Sequence, residues 1–191
     1  MPLISIISSS VRTGRNSNRV ALHFKNYLLD NDIAETEIID LKEYDFPIFH
    51  EKLILQKNPS AKLLEFGKKI KSSDGIIIVT PEYNGGYPAS LKNAIDVLYE
   101  EWHRKPIAIA TVSAGVFGGS QVITALQFSL WKIRAWTVPA TFLVPNVEDE
   151  YNQSGVATDV DEVNKNSKVF IDELLWCIEA KRRMQQTMTA P

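Results

Sequence analysis

The chain has a single cysteine, Cys177, so it can close no internal disulfide and offers no paired thiolates for an iron–sulfur or zinc site. That usage fits a reducing compartment. Its histidines, His23, His50 and His103, are dispersed and lack metal-ligand spacing, so no metal is expected. Net charge is small, at −2, which gives no field for nucleic acid or an anionic membrane. No apolar run approaches the ~18 residues that span a bilayer. The chain begins on an apolar strand rather than a basic-then-apolar leader, so a cytoplasmic location is the expectation. Neither a Walker loop nor a G-x-G-x-x-G fingerprint is present, and there is no internal repeat or linker.

What is present is an ordinary globular composition, 45% hydrophobic and 23% charged. One domain over residues 1–184 with a frayed tail over 185–191 is expected. Apolar runs predict strands at Leu3–Ser8, Glu35–Leu41, Gly75–Thr80, Pro106–Val112 and Thr137–Val144, the last bent or placed at an edge by Pro139. Helical spacing predicts helices over 17–30, 60–72, from 88 to about Trp102, and 120–133. A final helix is expected to about Arg183, opened by Thr158 and Asp161 at capping-box spacing. Leu63, Leu64, Phe66 and Ile70 form the expected inward face of the second helix, while 42–59 and 146–157 read as loops.

Alternation of strands and helices, with the strands apolar throughout, implies a parallel sheet covered on both faces. Five such units in 191 residues suit a flavodoxin-like three-layer α/β sandwich with strand order 2-1-3-4-5. In that winding a ligand binds past the carboxyl ends of the strands, where the order reverses between the first and third. The loops leaving strands one, three and four converge there.

The first loop, Ser8-Ser9-Ser10-Val11-Arg12-Thr13-Gly14-Arg15-Asn16-Ser17, combines hydroxyls, two arginines and a helix start, as a phosphate requires. It equally fits a solvated turn in which Asn16 or Ser17 is only an N-cap. The second, Pro81-Glu82-Tyr83-Asn84-Gly85-Gly86-Tyr87-Pro88, has glycines that let backbone approach a flat ring and a tyrosine, Tyr83 or Tyr87, to flank it. The alternative is a turn whose tyrosines cover a helix. The third, Ser113 to Gly119, can direct N–H groups at the edge of a ring or be a tight strand-to-helix turn.

Together these motifs resemble the NAD(P)H-dependent FMN reductases, which include quinone and azo-compound reductases. Ser9-Ser10-Val11-Arg12-Thr13-Gly14-Arg15 is similar to the family's G-S-x-R-x-G-R phosphate loop. Pro81-Glu82-Tyr83-Asn84-Gly85, then Pro88-Ala89-Ser90-Leu91-Lys92-Asn93-Ala94-Ile95-Asp96, resembles its P-E-Y-N…P-x-x-L-K-N-A-I-D signature, and Ser113 to Gly119 its third loop. The likeness runs from residue 3 to about residue 144. It departs at Ser9, where the family has glycine, and a slightly rearranged first turn is expected.

The resemblance implies FMN as cofactor and NAD(P)H as co-substrate, with electrons passing to a small-molecule acceptor. It places the phosphate on Ser10, Arg12, Asn16 and Ser17. Pro81, Glu82, Tyr83, Asn84 and Gly85 would line the isoalloxazine, mainly through backbone, with Ser113 and Gly115 at the opposite ring edge. No side-chain nucleophile is implied, because the flavin carries the chemistry. It also implies a homodimer, or a homotetramer. A non-catalytic electron carrier and a flavin-free phosphate-ligand or sensor module are the rival readings. Carriers are commonly strongly acidic, unlike this chain.

Trp102, Trp131, Trp136 and Trp176 read mainly as core, with Trp102 and Trp131 near helix ends. Phe46, Ile48 and Phe49 fit either an acceptor wall or a cap on the core. Lys181, Arg182 and Arg183 read as cations favoured at a helix carboxyl end.

Overall fold

Strands that are apolar on both faces demand cover on both sides, and the chain supplies it. The computed structural model describes residues 1–189. In chain order it contains β1 (Leu3–Ser8), α1 (Ser17–Asp30), β2 (Glu35–Asp40), α2 (Leu41–Tyr44), α3 (Ala61–Ser72) and β3 (Gly75–Pro81). There follow α4 (Ala89–Asp96), β4 (Pro106–Val112), α5 (Ser120–Lys132), β5 (Trp136–Val144), α6 (Val147–Glu150) and α7 (Val160–Thr189). All neighbouring strands pair in parallel, in the order β2-β1-β3-β4-β5, as the alternation of elements predicts.

The strand period of two sorts the buried residues into two cores. Ile4, Ile6, Ile77, Val79, Ala108 and Ala110 meet Phe24 and Leu28 of α1 and Phe170 and Leu174 of α7. Ile7, Ile76, Ile78, Ile107 and Ile109 meet α3, α4 and α5 on the other face. At the β5 edge, pairing passes from Ile107↔Thr137 to Ile109↔Thr141, a bulge spanning Pro139, which has no N–H to give the ladder.

The structure corrects several local expectations. Leu64 faces solvent, because Leu63, Phe66, Gly67 and Ile70 take the inward stripe of α3. The 42–59 segment is not all loop: α2 makes one turn capped by Asp40, whose Oδ1 accepts from Lys42 N at 3.0 Å, and Leu53–Leu55 form a 3₁₀ turn. Phe46 sits 5.2 Å from both the Tyr44 and Phe66 rings and caps the core, whereas Ile48 is 90% exposed. α4 stops at Asp96, and a separate 3₁₀ turn ends at the fully buried Trp102, whose Nε1 donates to Ile95 O at 3.1 Å. Trp131, Trp136 and Trp176 are exposed rather than core.

α7 differs at both ends. Its start is capped by Asp159, which accepts from Glu162 N at 3.0 Å, while Thr158 donates its hydroxyl to Asp149 O instead. The helix continues through Thr189, so Gln185–Thr189 of the expected tail are helical, and Ala190 and Pro191 lie outside the described residues. Arg182 and Arg183 are therefore not at a helix end; both pair with Glu179, at 2.8 and 2.7 Å. Among the described residues no helix is long and apolar enough to cross a membrane.

One polar group is sealed in the first core. His23 is ringed by Phe24, Phe142 and Tyr151, with Nε2 2.8 Å from Ser167 Oγ. Burial lowers its pKa from 6.5 to about 4. The unfolded chain therefore takes up a proton that the fold refuses, and stability falls as pH drops from 6.5 towards 4. The contribution is on the order of 3 kcal/mol across that window. Urea midpoints measured at steps through it should decline less steeply in His23→Gln, which cannot titrate, than in the native chain.

Candidate active site

The first loop is folded by what lies beneath it. Ser9 is fully buried: its N–H and hydroxyl both donate to Val79 O, at 3.1 and 2.9 Å, and its carbonyl accepts from Ser90 Oγ at 2.7 Å. A serine fits there because its side chain turns towards β3. Ser10 Oγ lies 2.7 Å from Tyr83 Oη, tying the first loop to the second.

The two arginines divide. Arg15 forms a bidentate pair with Asp40 at the carboxyl end of β2 and donates to Ser10 O at 2.9 Å. Arg15 also lines the cleft, but its charge is matched there by Asp40, unlike the reading in which both arginines are free to neutralise an anion. Arg12 is exposed, its guanidinium carbon 5.7 Å from the Tyr83 ring centroid, with no ion-pair partner among the described residues.

The start of α1 is open. Asn16 occupies the N-cap position but makes no side-chain cap bond, and the first turn carries no acidic residue. Its amide instead donates to Glu148 Oε1 at 2.6 Å. Ser17 is buried, and its hydroxyl has no partner among the described residues. The solvated-turn reading expects a satisfied cap here, which is not what the structure shows.

In the second loop Tyr83 N donates to Gly86 O at 2.8 Å and Gly86 N to Tyr83 O at 3.1 Å. Asn84 and Gly85 between them have φ of 52° and 79°, the two positive angles of a type I′ turn. Gly86, by contrast, has no positive φ. Glu82 turns its carboxylate to α5, accepting from Gln121 N at 3.0 Å. Tyr83 faces the cleft, while Tyr87 is turned away to Ser129, oxygen to oxygen 2.6 Å.

In the third loop Ser113 Oγ donates to Gly115 O at 2.7 Å, and Ser113 N to Val144 O at 3.0 Å. Gly118 and Gly119, with φ of 61° and 74°, turn the chain into α5.

These loops enclose a cleft of about 360 Å³. Of the expected residues, Ser10, Arg12, Asn16, Ser17, Pro81, Glu82, Tyr83 and Ser113 line it. Asn84 and Gly85 form the turn beyond Tyr83, and Gly115 also stands off the wall. Val112, Ala114, Val147 and Glu148 line the cleft without having been singled out in the sequence. The last two come from α6; Asn146 followed by Val-Glu-Asp-Glu is the helix-start pattern that could have revealed it. Two cavities of about 490 Å³ lie elsewhere, against α7 beside Lys181, away from the three loops.

A family model described as NADPH-dependent FMN reductase matches residues 2–149. The chain belongs to that family. An NAD(P)H-dependent FMN reductase of Schizosaccharomyces pombe is 36% identical over 153 residues, 74% of each chain. A quinone reductase of Pseudomonas putida is 37% identical over 132 residues, 66% of this chain and 68% of that one. Among solved structures, the flavoenzyme NAD(P)H:(acceptor) oxidoreductase FerB from Paracoccus denitrificans shares the fold. Its TM-score is 0.76 at 21% identity, over 94% of this chain and 98% of that one. The family is one of oxidoreductases that use FMN as flavin and NAD(P)H as electron donor.

In this member of the family the third loop depends on one glycine far more than on another. A Cβ at Gly119 would stand 3.2 Å from Thr111 Cβ and 3.3 Å from Val112 N, at a φ that side chains resist. A Cβ at Gly115 would meet nothing within 4 Å. Gly119→Ala should lower unfolding free energy by about 1–3 kcal/mol, and Gly115→Ala by less than about 0.5 kcal/mol, as read by urea denaturation.

Proposed function

We propose that this chain is an FMN-dependent NAD(P)H oxidoreductase that transfers two electrons to a quinone, a flavin, an azo compound or a similar small acceptor. The observation that carries the reading is the open amino end of α1. An uncapped helix start, a buried hydroxyl without a partner and an arginine without an ion pair meet at one cleft. Each is a donor or positive group awaiting an anion, and a phosphate answers all of them. The β1–β3 switch point is where a mononucleotide is expected in this winding. The residues present therefore fit FMN.

In this reading Ser10 and Ser17 donate hydroxyls to the phosphate, Asn16 donates its amide, and Arg12 neutralises charge. Pro81, Glu82 and Tyr83 border the isoalloxazine on one side and Ser113 on the other. Asn84, Gly85 and Gly115 act through the shape of their turns. Glu82 serves through its backbone, its carboxylate being held by α5. When bound, FMN would supply the redox chemistry between the nicotinamide nucleotide and the acceptor. The protein's part is to hold and orient the ring and leave one face open.

The acceptor class is supported by relatives named quinone reductase and, in Bacillus sp., NADPH azoreductase. Exposed Phe117, Phe128 and Trp131 on and beside α5 support a homodimer, or a homotetramer, over a monomer. A single domain in the cytoplasm, without nucleic-acid or membrane partners, completes the proposal.

Arg12→Ala should weaken FMN binding by about 1.5–3 kcal/mol, the range for a hydrogen bond to a charged group. Riboflavin, which lacks the phosphate, should bind the variant as it binds the native chain. Fluorescence titration of both flavins checks this, and equal FMN affinities would remove Arg12 from the phosphate site.

A further inference from the structure

Glu148 puts a carboxylate in the same cleft as Ser10, Arg12 and Ser17. It belongs to α6, whose run Glu148-Asp149-Glu150 is wholly acidic. The placement is unexpected for a site built to take an anion.

The charges around the cleft sharpen the point. Arg15 is matched by Asp40, and Glu82 is turned to the start of α5. That leaves Arg12 and Glu148, opposite in sign, both lining the cleft and neither in an ion pair among the described residues. Attraction for a phosphate must then come from the uncapped N–H groups of α1 and from hydroxyls, with little help from net charge. Glu148 also holds a donor the phosphate needs. Its Oε1 accepts from Asn16 Nδ2 at 2.6 Å, and Asn16 has no side-chain cap bond to fall back on.

We propose that Glu148 is an affinity-setting residue whose negative charge opposes the flavin phosphate and offsets Arg12 at the cleft they share, so that FMN is held less tightly than the other groups of the cleft would hold it. The inference rests on the placement of the phosphate given above. Glu148 is exposed, so its effect works through solvent and is screened by salt.

Glu148→Gln tests this cleanly, because the amide oxygen can still accept from Asn16 while the charge is gone. FMN and riboflavin dissociation constants are measured for the native chain, Glu148→Gln and Arg12→Ala, at low salt and at roughly 0.5 M NaCl. Glu148→Gln should bind FMN about twofold to fivefold more tightly at low salt, leave riboflavin unchanged, and lose most of its advantage at high salt. If Arg12→Ala weakens FMN selectively but Glu148→Gln does not tighten it, the role of Glu148 is overturned and the phosphate site stands. If neither variant moves FMN relative to riboflavin, the phosphate lies elsewhere and both readings fall.

Discussion

The Arg15–Asp40 ion pair determines what the first loop can offer a ligand. It joins the turn after β1 to the end of β2, and Arg15 also grips the Ser10 carbonyl. Both side chains are mostly buried, at 14% and 11% exposure, so removing either leaves a charge poorly solvated. Breaking such a pair costs about 3–5 kcal/mol. With the turn braced this way, Ser10 reaches Tyr83, Ser9 tucks under β3, and Arg12 is left as the cleft cation without an ion pair among the described residues.

The other parts of the site follow the same division between holding the loops and facing the cleft. Glu82 braces α5, Tyr87 braces Ser129, and Ser113 braces its own turn through Gly115. Tyr83, Ser17 and the first N–H groups of α1 remain towards the cleft. Several residues that look chemical in the sequence are thus structural, and what they secure is a helix start without a cap. An uncapped end is a local loss of stability, of about 1 kcal/mol by comparison with a good N-cap. It persists where the surrounding loops are fixed independently, as they are here.

The sheet and its winding were legible because apolar runs bounded by turns are a long-range pattern repeated five times. The single-turn helices α2 and α6 were not, since four residues are too few to show a helical period. The α7 cap falls one residue beyond Thr158 because Thr158 and Asp159 are both good caps, and only the fold shows Thr158 engaged with Asp149. The helix outran its expected end because no glycine or proline interrupts 184–189. In the site, the loops and most of their residues were legible from motif. The split between Arg12 and Arg15, and between Tyr83 and Tyr87, was not. Each split is decided by a partner distant in sequence, Asp40 in one case and Ser129 in the other.

The central claim is that this chain, once it holds FMN, is reduced by a nicotinamide nucleotide without help from another protein. The most direct measurement is the visible spectrum of the FMN-loaded chain under anaerobic conditions, before and after NADPH or NADH. Rapid bleaching of both flavin bands by either nucleotide is the result the account predicts. Bands that survive both nucleotides, yet bleach with dithionite, would contradict it and identify an electron carrier.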